Sequence, residues 1–164
     1  MLFAFTAGAL GETGKSIWRV ATSSELHSII PDRAPVVSER IETEFRTASA
    51  ITNGKGKFVA GVVLITAGYS AEGKYSHFFL TQVPLHVGNI LLSPGQYVIG
   101  WTRHDDDSLL ISFYQASTGA PVGQIIAARN EAIHRVESFR IWPPDARSVI
   151  QIGRFTFGYS VDTN

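Results

Sequence analysis

The clearest pattern in the chain is the alternation of apolar and polar residues between positions 91 and 123. Apolar and polar residues alternate fully or nearly so in three segments, with the period of two that is typical of β-strands. These segments are residues 96–103, 109–114 and 122–128. Only short segments, polar or rich in Gly and Pro, separate them. Because a parallel connection needs about a dozen residues or more, these short loops predict that the strands are antiparallel neighbours.

Similar segments occupy much of the remaining chain. They are residues 17–21, 40–52, 58–67, 75–83, 136–142 and 149–161. The segment Phe58–Ala67 is apolar on both faces, which predicts a central strand that is covered on both sides. The pair Asn53-Gly54 before it predicts a hairpin turn. We interpret Gly153 as a bulge within the last strand, and residues 32–35 as a loop.

Residues Ser23–Ile30 are the best candidate for a helix, because Ser23 or Ser24 can cap it and the apolar residues that follow share one face. About eight strands, one short helix and turns every eight to twelve residues predict an all-β fold, namely an antiparallel β-sandwich or short barrel. A chain of 164 residues is most simply one domain. We place this domain at residues 10–164.

Charge and composition exclude several classes of function. The 14 basic and 14 acidic side chains cancel, and no run of Lys or Arg occurs, so we expect no nucleic-acid partner. The absence of cysteine excludes disulfides, thiolate nucleophiles and Cys-ligated metal sites. The histidines have no metal-binding spacing. We therefore predict no cofactor and no metal site.

The first ten residues, MLFAFTAGAL, are apolar and too short to span a bilayer, so we expect no membrane span. Ala7-Gly8-Ala9 matches the small-x-small pattern of signal-peptide cleavage, although the basic region of a signal peptide is missing. One interpretation is that residues 1–9 are a signal-peptide remnant, which predicts a periplasmic or secreted protein. The alternative is an ordinary first β-strand.

The overlapping segment Ala9–Ser16, ALGETGKS, resembles a phosphate-binding loop in which Ala replaces the first Gly. Lys15 and Ser16 would then serve the phosphates and Mg²⁺. The chain lacks the alternating strand–helix order of a parallel sheet, and no apolar strand ending in Asp follows to hold magnesium. These features favour a chance match.

Aromatic side chains are the strongest candidates for ligand binding. Tyr97 and Trp101 lie on one face of one predicted strand, about 13 Å apart, and could stack on a sugar or another flat ligand. His77 lies on an apolar strand face beside Phe79. We select Tyr97, Trp101 and His77 as candidate ligand-binding residues. The alternative for all three is packing in the core.

The most polar cluster is His104-Asp105-Asp106-Asp107. An enzyme site could be assembled from separate strands if His77, His104 and this aspartate segment converged. The alternative is a solvated hairpin tip, since consecutive residues do not all point the same way. No Gly-x-Ser-x-Gly nucleophile motif occurs in the chain.

The segments TEFRTAS, GKFVAGVVLITAGY, SHFFLTQVPL, LSPGQYVIGW and STGAPVG resemble small exported bacterial β-sandwich proteins of unknown function, over about residues 40–125. The resemblance implies a β fold and export, and it assigns no catalytic residue. We therefore expect a non-catalytic binding or interaction module whose partner is a small molecule, a glycan or a protein. An enzyme and a structural or assembly protein are the alternatives.

Overall fold

A computed structural model describes residues 17–162 of this chain. Strands account for 57% of it, and the described part contains one helix. The helix is α1 (Ser23–Ile29), and the strands in chain order are β1 (Arg19–Val20), β2 (Arg33–Val36), β3 (Glu39–Thr52), β4 (Phe58–Leu64), β5 (His77–Thr81), β6 (Leu85–Val87), β7 (Ile90–Leu92), β8 (Gly95–Asp105), β9 (Ser108–Gln115), β10 (Pro121–Arg129), β11 (Glu137–Ile141), β12 (Val149–Gly153) and β13 (Phe155–Val161).

The mostly β, antiparallel character predicted from the sequence is confirmed, and the finer prediction needs correction. The sheet has 13 strands rather than about eight, and it curls into a half-barrel, whereas a sandwich of two sheets is not shown. Its main path runs β1-β3-β4-β5-β8-β9-β10-β13-β12-β11, with β2 paired to β3 and the β6–β7 hairpin paired to β13.

Two of the additional strands come from tight turns at positions where the sequence predicts a bulge and a loop. Gly153 is not a bulge: with φ 64° it begins a two-residue turn, and the last predicted strand is therefore the hairpin of β12 and β13. The predicted loop 32–35 is mostly strand β2, because Val37 adopts φ 56° and reverses the chain into β3. The predicted helix is present, although Thr22 rather than Ser23 or Ser24 caps it.

The half-barrel buries apolar residues on both faces of its central strands. The inner face carries the larger core, which includes Phe79, Ile99, Phe113 and Phe157. The outer face of β3, β4, β5 and β8 packs beneath α1 and β2, with Phe78 among its buried residues. The prediction that the segment around β4 is covered on both sides is therefore confirmed.

The last strand in the path, β11, returns to the beginning of the sheet and packs against β3 and β4. The backbone N–H of Ile141 donates to Ser49 Oγ at 2.9 Å, which joins β11 to β3 by a side-chain bond outside the strand ladder. Phe139 of β11 covers Gly61 of β4. This return places β11 and β12 opposite the ends of β5 and β8.

A buried glutamine supports the same region. Gln151 of β12 is fully buried, and its Nε2 donates to the carbonyl oxygens of Arg135 and Gly153 at 2.7 and 2.8 Å. Its Oε1 accepts from the indole N–H of Trp142 at 3.1 Å. Since each polar atom has a partner, the amide fixes the segment before β11 against β12 without an unpaired buried group.

Two predictions fall outside the described residues: the cleavage pattern within residues 1–9 and the phosphate-loop resemblance at Ala9–Ser16. Within residues 17–162, no helix has the length and apolar character needed to cross a membrane.

Candidate functional site

A cleft of about 430 Å³ lies where β5, β8 and β9 face β11, β12 and the start of β13. Its volume falls in the range of about 300–1,000 Å³ that is usual for small-molecule sites. Most of its lining is apolar and comes from Val63, Trp101, Leu109, Val136, Ile152 and Phe155. Polar lining comes from Ser76, His77, Arg103, Glu137 and Ser138, so polar groups are few and lie at defined positions.

Strand β8 brings Trp101 to the cleft because the strand extends beyond the packed core. Tyr97 and Ile99 are buried, whereas every residue from Trp101 to Asp105 is exposed. The exposed fraction of Trp101 is 45%, which is high for a large aromatic residue. Val136, which also lines the cleft, is 54% exposed. The cleft therefore presents the apolar surface of both residues to solvent.

Tyr97 belongs to the core and does not line the cleft. Its exposed fraction is 2%, and its hydroxyl donates to the carbonyl oxygen of Ser93 at 2.6 Å. Burial raises the pKa of this hydroxyl above its usual value. The two rings therefore do not form one stacking platform. Both residues lie on β8, but the Tyr97 ring is buried in the core and Trp101 is exposed.

His77 lies in the wall of the cleft as a buried side chain that is 3% exposed. Its Nδ1 is 2.7 Å from Ser76 Oγ, and its Nε2 is 3.4 Å from the carbonyl oxygen of Ser138. Burial lowers the pKa of His77 from 6.5 to about 4, and the Ser138 carbonyl opposes this shift only in part. The imidazole is therefore neutral at pH 7, and both its nitrogens have partners, Ser76 just before β5 and Ser138 in β11.

Arg103 was not a candidate in the sequence analysis, and it supplies positive charge to the cleft. Its guanidinium carbon lies 5.9 Å from the ring centroid of Phe155, at the cleft wall. Its Nη1 donates to the carbonyl oxygens of Asp105 and Asp106, both at 3.4 Å. A signal for Arg103 exists in the sequence, because it follows Trp101 by two residues and so shares its strand face.

The cluster of His104 and the three aspartates is not assembled with His77. His77 pairs with Ile99 of β8. His104 follows Ile99 by five residues along the same strand, a distance of about 16 Å at the usual strand rise. Asp105 Oδ1 accepts from the backbone N–H of Asp107 at 2.8 Å, so the segment forms the β8–β9 turn. No group of three or more side chains able to hold a metal ion occurs in residues 17–162.

A second groove, of about 550 Å³, lies between α1, the β3–β4 turn and the ends of β5 and β8. Much of its lining is polar or glycine, with contributions from Ser28, Gly56, Lys57, Gln82 and Gln96. None of the predicted ligand-binding residues reaches it. The cleft beside Trp101 is therefore the better candidate, because it joins exposed apolar surface to two of the three predicted residues.

Comparison of the chain with protein-family models, with curated proteins and with solved structures found no significant match.

Proposed function

We propose that this domain is a non-catalytic binding module that holds a small molecule with a flat, apolar body in the cleft beside Trp101. The observation that carries the proposal is the exposure of Trp101 and Val136, which both line one cleft with a mostly apolar lining. An aromatic ring in this position offers a large contact area, and it loses little conformational freedom when a ligand packs on it.

Binding is favoured over the enzyme alternative by the placement of the polar groups. The enzyme hypothesis needs His77 to meet His104 and the aspartates. His77 lies in β5 opposite Ile99, near the middle of β8, whereas His104 lies at the end of β8. His77 is closed in by Ser76 and Ser138, so its nitrogens hold the cleft wall together. Such an arrangement preserves the shape of a binding site.

The proposed cellular location, the periplasm or the outside of the cell, rests on the apolar residues 1–10 and on the Ala7-Gly8-Ala9 pattern. Fractionation of cells that express the complete gene tests it, because an exported protein is released with the periplasmic or extracellular fraction. Recovery with the cytoplasmic fraction alone would contradict it.

A fluorescence titration with N-phenyl-1-naphthylamine tests the binding proposal. This neutral aromatic probe becomes brighter when it leaves water for an apolar site. We expect saturable binding to the wild-type protein, and binding about fivefold weaker or more for Trp101→Ala, since an aromatic contact contributes about 1 kcal/mol. Val136→Ser should also weaken binding, because Val136 contributes exposed apolar surface to the lining of the cleft.

The matched control is Ile126→Ala. Ile126 is also an exposed apolar residue, 47% exposed, but it lies on β10 and does not line the cleft. This variant should bind the probe as the wild type does. Equal loss of binding in Ile126→Ala and Trp101→Ala, or no saturable binding by the wild type, would overturn the proposal.

A further inference from the structure

The two charged side chains that line the cleft, Arg103 and Glu137, differ in their ion pairing. Arg103 has no carboxylate within 4.0 Å among the residues that the structure describes, so its charge is not neutralised by an ion pair. The acidic side chain that lines the cleft, Glu137, lies 3.4 Å from Arg135 Nε and 3.7 Å from Arg140 Nη1. Of the two, Arg103 therefore carries the charge that no described ion pair neutralises, whereas the charge of Glu137 is paired.

Among the described ion pairs, none joins Arg103 to the aspartates beside it. Asp105 and Asp106 offer Arg103 their backbone carbonyl oxygens, and Asp107 lies 3.9 Å from Arg129 Nε. At 3.4 Å, both bonds from Arg103 exceed the usual 2.7–3.2 Å. A ligand could replace these long bonds at small cost, since Arg103 is exposed and its planar guanidinium can donate two parallel bonds to one acidic group.

We propose that the ligand of this cleft is an amphipathic anion. Its flat apolar body packs against Trp101 and Phe155, and its acidic group, a carboxylate, sulfonate or phosphate, accepts hydrogen bonds from Arg103. The inference rests on the proposed function, because it names the class of molecule that occupies the same cleft. The guanidinium over the Phe155 ring places charge and apolar surface side by side, which is the arrangement that such a ligand needs.

Two probes with the same aromatic body separate the charge from the apolar contact. 8-Anilinonaphthalene-1-sulfonate and N-phenyl-1-naphthylamine share the anilinonaphthalene skeleton, and only the first carries a sulfonate. We expect the wild-type protein to bind the sulfonate probe at least fivefold more tightly than the neutral probe. Arg103→Met retains a long apolar stem without the charge, so it should remove this preference and change binding of the neutral probe less than twofold.

Arg154→Met is the matched control. Arg154 is exposed and adjoins Phe155 in sequence, but it does not line the cleft. The preference for the sulfonate probe should survive in this variant. Raising the salt concentration should weaken binding of the sulfonate probe to the wild type and leave the neutral probe unaffected, which tests the charge without a substitution.

The outcomes separate the inference from the proposed function. Suppose that the neutral probe binds the wild type and that Trp101→Ala weakens this binding. If the wild type then shows no preference for the sulfonate probe, or if Arg103→Met retains that preference, the inference is overturned and the proposed function stands. If neither probe binds in the wild type, both are overturned. Equal loss of preference in Arg103→Met and Arg154→Met would also overturn the inference, because it would show a general surface charge effect.

Discussion

Phe139 of β11 lies directly over Gly61 of β4. A Cβ atom on Gly61 would be 2.5 Å from Phe139 Cε1, closer than carbon atoms approach without a shift of one residue. The ring has little room to move, because it also packs near His77 and Phe79, with ring centroids 5.3 and 6.5 Å apart. Gly61 therefore permits β11 to approach β4 and to form one side of the cleft.

Gly61→Ala should lower the free energy of unfolding by about 1–3 kcal/mol, the usual cost of overpacking a core. Denaturant titration measures it. The control is Gly158→Ala in β13, where the nearest atom to a new Cβ would be 3.9 Å away and little loss is expected. Equal stability of the two variants would contradict the close contact between Gly61 and Phe139.

Gln151→Leu should destabilise the fold by about 2 kcal/mol or more, because the change leaves the indole N–H of Trp142 and two carbonyl oxygens without partners. Thermal or denaturant unfolding measures this loss. Gln124→Leu is the control, since Gln124 is exposed and bonds only to Ser112 Oγ, so we expect a change within about 0.5 kcal/mol. A Gln151→Leu protein as stable as the wild type would show that the amide network does not support β12.

The strands with strong local signals were predictable from the sequence, and the turns without such signals were not. The Asn53-Gly54 pair and the apolar segment around β4 indicate their hairpin correctly. At Val37, however, a valine occupies a turn position with φ 56° where Gly or Asn is expected, so nothing in the sequence indicates the reversal between β2 and β3. Similarly, the short strand β6 pairs with β13, which is a tertiary contact, and β7 pairs with β6.

Val37 provides a test of this strained turn. A β-branched residue at positive φ is disfavoured, whereas Asn tolerates this region. Val37→Asn should therefore raise the free energy of unfolding by about 0.5–1 kcal/mol, as measured by denaturant titration. Val20→Asn is the control, because Val20 is similarly exposed but lies in extended strand β1. A gain in stability for Val20→Asn as large as that for Val37→Asn would contradict the explanation.

His77 should make stability depend on pH. Burial lowers its pKa from 6.5 to about 4, so the unfolded chain binds a proton more readily than the folded protein. The contribution of neutral His77 to the free energy of unfolding is then fully present above pH 6.5, and it falls as the pH is lowered towards 4. Between pH 7 and pH 5 the loss from this group is about 2 kcal/mol.

The comparison of wild type with His77→Gln isolates this effect, because the other histidines are present in both proteins and cancel. We expect the wild type to lose about 2 kcal/mol more than the variant between pH 7 and pH 5 in denaturant titrations. The same loss in both proteins would show that His77 is not buried in the neutral form.

The candidate site was predictable only in part. Alternation correctly indicated that Trp101 and His77 lie on strands, but it cannot show how far along a strand the core extends. Tyr97 and Trp101 have the same local pattern, and one is 2% exposed while the other is 45% exposed. That difference depends on tertiary packing, because Tyr97 belongs to the larger core cluster and Trp101 does not.

The most direct test of the proposed cleft is a map of backbone amide chemical shifts during titration of the ¹⁵N-labelled protein with N-phenyl-1-naphthylamine. We predict that the largest shifts occur in the amides of His77, Trp101, Arg103, Ser138 and Phe155, which line the cleft. The amides of β6, about 13 Å or more from Phe155 along the paired strand β13, should shift little. Shifts concentrated away from the cleft, or none at saturating probe, would contradict the account.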